Sequence, residues 1–192
     1  MAEWRRKRSI MRLYNASADC YDGLYGEEQN AKIKAAMKRI RLDEQSCALD
    51  LGCGTGRLFD HVAATAGTVV GVDISKRTLA AAKNRCRGLH NVSLILADAD
   101  YLPFLDGVFS HIFALTTLQN MPNPLRTLEE AERVAKKNAV YAVTGLKKIF
   151  SQNQFLELLN IAGLKIVTFE DEESLKCYVA ICIKNNIETS LC

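Results

Sequence analysis

Three alternating glycines follow a short apolar run that contains an aspartate, and a second apolar run ends in another aspartate. The first run and its loop are residues 48–58, ALDLGCGTGRL, and the second run is residues 69–73, VVGVD. Glycines let the backbone turn sharply at the end of a strand and approach a ligand closely. We predict that a helix begins near Arg57 and points its free N–H groups back at that ligand. The pattern predicts a site for a nucleotide-type cofactor.

The spacing of the glycines narrows the choice of cofactor. A dinucleotide site has the pattern G-x-G-x-x-G, whereas here the third glycine comes one residue early and Arg57 stands at the place of the usual Gly or Ala. Asp50 before the loop would repel a nearby pyrophosphate. A cationic ligand without phosphate fits this loop better.

The acidic-x-Gly-x-Gly-x-Gly loop and the acid that ends the next strand resemble class I S-adenosylmethionine-dependent methyltransferases, in particular the ubiquinone/menaquinone-biosynthesis-like group. The resemblance extends to LADADYLPF at residues 96–104 and to GVFSHIFAL at residues 107–115. It implies S-adenosyl-L-methionine as the cofactor, with Asp73 binding the ribose hydroxyls, Ile74 against the adenine and Asp98 receiving the adenine amino group. The implied cofactor-binding residues are Tyr21, Asp50, Gly52, Gly54, Gly56, Asp73, Ile74, Asp98, Ala99 and Leu115.

The N-terminal residues 14–26, YNASADCYDGLYG, resemble the segment that folds over the cofactor in the same group. An aromatic ring can stabilise a sulfonium through its face, and Tyr21 is the leading candidate, with Tyr14 and Tyr25 behind it. These rings can equally pack the segment onto the body of the protein. We therefore predict a cofactor lid at residues 1–26 and a methyltransferase domain at residues 27–192.

Apolar periodicity predicts an α/β fold, a doubly wound seven-stranded and mostly parallel sheet. A polar connection at residues 170–174 predicts a final hairpin with an antiparallel last strand, as in the Rossmann-like methyltransferase fold. The strands are predicted near 46–51, 68–73, 92–97, 110–115, 139–143, 164–169 and 177–183. The helices are predicted at about 27–41, from Ser75 to Arg87, from Pro124 to about Lys137, and from Ser151 to Gly163.

The fourth strand is followed by LTTLQNMPNP, residues 115–124, where many amine methyltransferases have Asn/Asp-Pro-Pro-Tyr/Phe. Methylation of an exocyclic amine is therefore disfavoured. Gln119 and Asn120 are the candidate catalytic residues because their amides can orient a nucleophile, although they can instead complete the loop by bonding to the backbone. His111 lies near the start of its strand, so we predict no histidine base.

Composition limits the class of protein. The chain has 192 residues, of which 48% are hydrophobic and 24% charged, as in globular domains. No apolar run approaches the roughly 18 residues that span a bilayer, and no signal peptide is visible, so we expect a cytoplasmic protein. Seven cysteines without close C-x-x-C pairs predict buried thiols and no metal site.

The methyl acceptor is the least determined part. The net charge is only +3, yet Arg5, Arg6, Lys7, Arg8 and Arg12 crowd the start of the chain, which favours phosphate contacts and hence RNA or a translation component as substrate. The alternatives are a small-molecule methyltransferase of the quinone-pathway type and a non-catalytic cofactor-binding protein. The third strand, residues 91–96, should be a sheet edge where a small activator subunit can pair, unless a loop or the N-terminal segment covers it.

Overall fold

A computed structural model describes residues 2–17 and 21–184, and strands alternate with helices along most of them. The strands are β1 (Cys47–Leu51), β2 (Thr68–Asp73), β3 (Val92–Leu96), β4 (Phe109–Ala114), β5 (Ala135–Leu146), β6 (Leu164–Glu170) and β7 (Cys177–Lys184). The α-helices are α1 (Ala2–Ser17), α2 (Tyr21–Met37), α3 (Phe59–Val62), α4 (Lys76–Arg85), α5 (Pro124–Val134) and α6 (Gln152–Ile161), and a 3-10 turn spans Leu118–Asn120.

The strands form one seven-stranded sheet in the order β3-β2-β1-β4-β5-β7-β6. Strands β1 to β5 are parallel, and β7 pairs antiparallel with both β5 and β6. This confirms the predicted fold class, including the antiparallel last strand. The order reverses between β1 and β4, so a crevice forms at the carboxyl ends of these strands, where open α/β sheets bind ligands.

Alternating residues of the central strands supply two separate cores. On β1, Leu49 and Leu51 face one core and Ala48 faces the other, because successive side chains of a strand point to opposite faces. Helices α5 and α6 cover the first face, with Leu128 and Phe155 fully buried, and helices α2, α3 and α4 cover the second. The sheet is therefore buried on both sides, as a parallel sheet requires.

Three predicted helix starts, those of α4, α5 and α6, are confirmed by the residues found there. The Ser75 side chain accepts a hydrogen bond from Thr78 N (3.2 Å) at the start of α4. Pro124 occupies the first turn of α5, and Ser151 forms a capping box with Gln154 at the start of α6. The caps satisfy N–H groups that each helix otherwise leaves unpaired.

Three predicted boundaries are wrong. The helix predicted at 27–41 runs over Tyr21–Met37, so the predicted boundary between lid and domain falls inside α2. The helix predicted to reach Lys137 ends at Val134, because Ala135 already pairs with Phe109 as the start of β5. The helix predicted near Arg57 begins at Phe59 and has one turn only, so the N–H groups of a long helix do not face the cleft.

Helices α1 and α2 lie over the carboxyl ends of the strands. Helix α2 also packs against the end of β7, where Glu28 forms an ion pair with Lys176 (2.9 Å) and with Lys32 (2.7 Å). Lys32 is almost fully buried. No helix within residues 2–17 and 21–184 has the length and apolar character needed to cross a membrane.

Candidate functional site

A cleft of about 1060 Å³, its open mouth included, lies between the carboxyl ends of β1 to β4 and the inner faces of α1 and α2. Most of the predicted site residues line it. The lining includes Asp50, Gly52, Gly54, Asp73, Ile74, Asp98, Ala99, Leu115 and Asn120 from the predicted set, together with Lys7, Ile10, Tyr14, Gln29, Ile33, Thr55, Arg57, Thr116, Thr117 and Met121. Gly56 and Gln119 are not among the lining residues.

The glycine loop has the conformation that only glycine adopts easily. Gly52 and Gly54 have φ angles of 75° and 54°, in the left-handed region that disfavours a side chain. The N–H groups of Gly52 and Cys53 both donate to Val72 O (2.8 and 2.9 Å), which ties the loop to the end of β2. A Cβ atom at Gly54 would meet no protein atom within 4 Å, so its backbone borders open space in the cleft.

Asp50 is a buried carboxyl group beneath this loop. It is 4% exposed, and burial, reinforced by the negative charge of Asp73, raises the pKa of Asp50 to about 8. Within residues 2–17 and 21–184 no ion pair to Asp50 forms. A buried carboxylate is unfavourable without a cation, so Asp50 suits a cationic ligand.

Asp73 ends β2 and stabilises the glycine loop. Its Oδ2 atom accepts from Gly54 N (2.9 Å), and its Oδ1 atom accepts from Ser75 N (2.7 Å) and Thr78 Oγ1 (3.1 Å). Burial raises the pKa of Asp73, although these hydrogen bonds oppose the shift. An ionised carboxylate offers about four acceptor sites, so Asp73 retains acceptor capacity toward the cleft.

Asp98, after β3, is already paired with a residue from α1. Lys7 Nζ donates to both oxygens of Asp98 (2.7 Å each) and also pairs with Asp100. Lys7 is 7% exposed, so it is not available for the phosphate contacts that the basic residues at the start of the chain favour. Arg5, Arg6, Arg8 and Arg12 are exposed.

The end of β4 forms the opposite wall of the cleft. Thr116 has a φ of 65°, which is unusual for a β-branched residue and marks a strained backbone. Its hydroxyl donates to Gln29 Oε1 (2.9 Å) and accepts from the buried Lys32 (3.4 Å). Helix α2 thus supplies the contacts that hold the end of β4.

The two predicted catalytic amides have different positions. Asn120 lines the cleft, and its Nδ2 atom donates to Tyr14 Oη (2.8 Å) and Thr116 O (3.0 Å). Gln119 donates to Thr116 O (2.8 Å), and its Oε1 atom is buried without a partner in the described part of the chain. The backbone-bonding alternative describes both amides, since each donates to Thr116 O, but of the two only Asn120 also lines the cleft.

Arg57 lines the cleft and makes contacts that the sequence left open. Its guanidinium donates to the Asp22 side chain (2.9 Å) and to Asp22 O (3.1 Å), at the start of α2. A Cβ atom on Gly26 would lie 2.2 Å from Arg57 Nη2, so only glycine lets the guanidinium fit against α2. Arg57 and Thr55, which also donates to Asp22 (2.7 Å), fasten α2 to the glycine loop.

S-adenosylmethionine fits the three carboxyl groups of this cleft. Its sulfonium and ammonium groups are positive, which matches the buried Asp50, and its ribose hydroxyls and adenine amino group are donors that match the acceptors Asp73 and Asp98. The loop around Gly54 leaves space for close approach of a ligand.

Comparison with known proteins agrees with this geometry. A methyltransferase-domain family profile matches residues 49–143. The demethylmenaquinone methyltransferase of Staphylococcus saprophyticus is 33% identical over 139 residues, which cover 68% of this chain and 59% of that enzyme. The chain belongs to the class I S-adenosylmethionine-dependent methyltransferases. Its cofactor is S-adenosylmethionine, and the predicted family and cofactor are confirmed.

Two solved structures show the same fold as this methyltransferase. The 1,6-didemethyltoxoflavin-N1-methyltransferase of Burkholderia thailandensis superposes with a TM-score of 0.82, at 12% identity over 97% of this chain and 92% of that one. A chain from the complex of the Haloferax volcanii Trm112 activator with a methyltransferase has a TM-score of 0.77, at 18% identity over 89% and 97%. This chain spans about three fifths of the length of the Staphylococcus enzyme, so the alignment does not show that the two proteins share a substrate.

Some site residues could be found from the sequence and others not. Ile10 and Tyr14 are four residues apart and so lie on one face of a helix, a signal in the N-terminal segment that this face packs against the body of the protein. The roles of Thr116 and Arg57 depend on contacts between distant segments and carry no such signal. The side chain of Tyr21 lies outside the described residues, so its predicted contact with the cofactor remains a prediction.

Proposed function

We propose that this methyltransferase transfers the methyl group of S-adenosylmethionine to a small, ring-containing acceptor of the quinol type. The observation that carries the proposal is the 33% identity to a demethylmenaquinone methyltransferase over 139 residues. The cleft supports it, because Ile10, Ile33, Leu115 and Met121 line it with apolar side chains. Small-molecule pockets combine such apolar walls with a few polar groups that fix orientation.

We assign the cofactor contacts as follows. Asp50 faces the positive methionine part, Asp73 accepts from the ribose hydroxyls, and Asp98 accepts from the adenine amino group. The backbone of Gly52 and Gly54 lies against the cofactor, and Ile74, Ala99 and Leu115 provide apolar walls. The bound cofactor supplies an activated methyl group on a sulfonium.

The chain's task is then to position the acceptor. The acceptor atom would take the methyl group while the electron pair of the carbon–sulfur bond stays on sulfur, and the proton lost by the acceptor would pass to water. Positioning supplies most of the rate enhancement in such a displacement. Asn120 and Tyr14, joined by their hydrogen bond, orient the acceptor. His111 sits in the lower half of β4, opposite Ala48, which agrees with the prediction of no histidine base.

RNA is the less supported acceptor. Lys7 is turned inward to Asp98, and Lys147, which directly follows β5, pairs with Asp171 (2.6 Å) in the connection between β6 and β7. The exposed arginines of α1 are the remaining support for phosphate contacts. RNA modification and a cytoplasmic location stay predictions.

The acceptor class is tested by parallel transfer of tritiated methyl groups to lipid extract, total RNA and protein extract. We expect label in the lipid extract, lost with Asn120→Ala and retained with Gln119→Ala, which alters a side chain outside the cleft lining. Label in RNA alone would replace the quinol proposal with the RNA alternative. Binding of S-adenosylmethionine without label in any of the three extracts would instead support the non-catalytic alternative.

An activator subunit at β3 is a second, separate proposal. Strand β3 is an edge of the sheet, as predicted, and pairs with β2 alone among the described strands. Ser93 and Leu96 are exposed on it, and the Haloferax neighbour was solved with an activator. A strand added at β3 would satisfy its outer N–H and C=O groups.

A further inference from the structure

Lys7 belongs to the basic N-terminal helix α1, but its charged side chain is buried against the body of the protein. Its ammonium group sits between the carboxylates of Asp98 and Asp100, 91 or more residues away in sequence. It also lies 5.7 Å from the centre of the Tyr101 ring. Burial alone would lower the pKa of Lys7, but hydrogen bonding and attraction from Asp100 and Asp98 outweigh it and raise the pKa. Lys7 therefore remains charged while α1 is packed on the body of the protein.

The two carboxylates are fixed to the body of the protein. Asp98 Oδ1 accepts from Asp100 N (3.0 Å), and Asp100, which is 4% exposed, accepts a short hydrogen bond from Thr127 on α5. Lys7, by contrast, belongs to α1, so its contact with the two carboxylates depends on the position of that helix. Separation of α1 from the body would leave two adjacent negative charges without their counter-ion, which is costly for buried groups.

Two further contacts set the position of α1 over the cleft. Asn15 Oδ1 accepts from Ser75 Oγ (2.6 Å), beyond the end of β2, and Tyr14 Oη accepts from Asn120 (2.8 Å), beyond the end of β4. Together with Lys7 at the end of β3, they place α1 across four neighbouring strand ends. A ligand in the cleft lies beneath this helix.

We propose that Lys7 is a cofactor-positioning residue, which orients Asp98 toward the adenine and ties α1 over the bound cofactor, so that the cofactor leaves only when the Lys7 pair with Asp98 and Asp100 breaks. Lys7 acts through Asp98 rather than on the reacting atoms. Asp98 Oδ1 accepts from both Lys7 and Asp100 N, whereas Oδ2 accepts from Lys7 and keeps a lone pair for the adenine amino group. Cofactor binding and closure of α1 are then one coupled event, because the same carboxylate serves both.

The coupling is measured without any methyl acceptor. The dissociation rate of radiolabelled S-adenosylmethionine is followed after a chase with unlabelled cofactor, and hydrogen exchange of residues 2–17 reports the opening of α1. Trp4 on α1, half-exposed, is the single tryptophan of the sequence, so its fluorescence follows the same helix. These readouts keep the inference separate from the acceptor proposal.

We expect Lys7→Met to release the cofactor at least tenfold faster and to abolish the cofactor-dependent protection of α1. Lys7→Arg keeps the charge and should behave much more like the wild type. Lys34→Met, the same change at an exposed position of α2, should leave both readouts unchanged. Because Lys7→Met can fail to fold with two uncompensated carboxylates, Lys7→Met/Asp100→Asn removes one charge of each sign and provides the second test.

Release at the wild-type rate from folded Lys7→Met or Lys7→Met/Asp100→Asn would overturn the proposal. Equal exchange of α1 with and without cofactor in the wild type would also overturn it. A merely structural Lys7 would lower the melting temperature without changing the cofactor's dissociation rate.

Discussion

Cofactor binding should release a proton from Asp50. In the free protein the pKa of Asp50 is about 8, so about 0.9 of the molecules hold this proton at pH 7. A cationic cofactor beside Asp50 stabilises the carboxylate, and the proton leaves on binding. Ionisation must then precede tight binding, so the dissociation constant should fall about fiftyfold between pH 6 and pH 8.

Calorimetric titration in two buffers of different ionisation enthalpy measures this proton. The slope of the observed enthalpy against buffer enthalpy should give about one proton released at pH 7. Asp50→Asn has no carboxyl group to titrate at position 50. Its slope should therefore lack the Asp50 proton and report the proton released by the cofactor's own ammonium group. Identical slopes for wild type and Asp50→Asn would refute the reasoning, as would an affinity that stays constant from pH 6 to pH 8.

Four further outcomes are expected. The folded-state pKa of Asp50 is raised above its unfolded value, so the free protein loses stability as pH rises toward 8. Asp50→Asn should therefore stabilise the free protein more at pH 8 than at pH 5, by up to about 4 kcal/mol in chemical denaturation. Asp73→Ala should weaken cofactor binding at least tenfold in calorimetry, because hydrogen bonds to a charged group contribute about 1.5–3 kcal/mol; unchanged affinity in the folded variant would contradict the ribose assignment. Gly71→Ala should destabilise the protein by about 1–3 kcal/mol in urea, because its Cβ would lie 2.6 Å from the Phe59 ring and 3.0 Å from Cys53 Sγ, whereas Gly23→Ala, which meets no atom within 4 Å, should not lower stability. Leu96→Pro removes an N–H group on the outer side of β3, because the N–H of the next residue, Ala97, points inward to Asp73 O; it should remove a co-purifying activator while the fold persists by circular dichroism, and co-purification undisturbed by the proline would exclude β3 as the docking site.

Local sequence patterns predicted the fold better than they predicted the cleft. Seven strands, their order at the β3 edge and the caps at Ser75 and Ser151 follow from patterns within a few residues. The end of α5 was missed because Ala135 joins β5 through a pairing with Phe109, which is distant in sequence. Long-range pairing of this kind overrides local helix propensity.

The same distinction applies to the site. Asp50 and Asp73 lie near the carboxyl ends of β1 and β2, and Asp98 follows β3, so their place in the cleft was predictable. Lys7 was not, because its burial depends on two carboxylates contributed by a segment more than 90 residues later. Thr116 was not either, because its left-handed backbone is held by side chains of α2.

The contact between α2 and β7 has a consequence for the order of events during synthesis. Glu28 leaves the ribosome long before its partner Lys176, and the buried Lys32 packs beside Cys177 at the start of β7. Helix α2 therefore completes its contacts only after β7 has been made and inserted between β5 and β6. A nascent chain stalled before residue 176 would lack these contacts of α2 and would present an open, apolar cleft to chaperones.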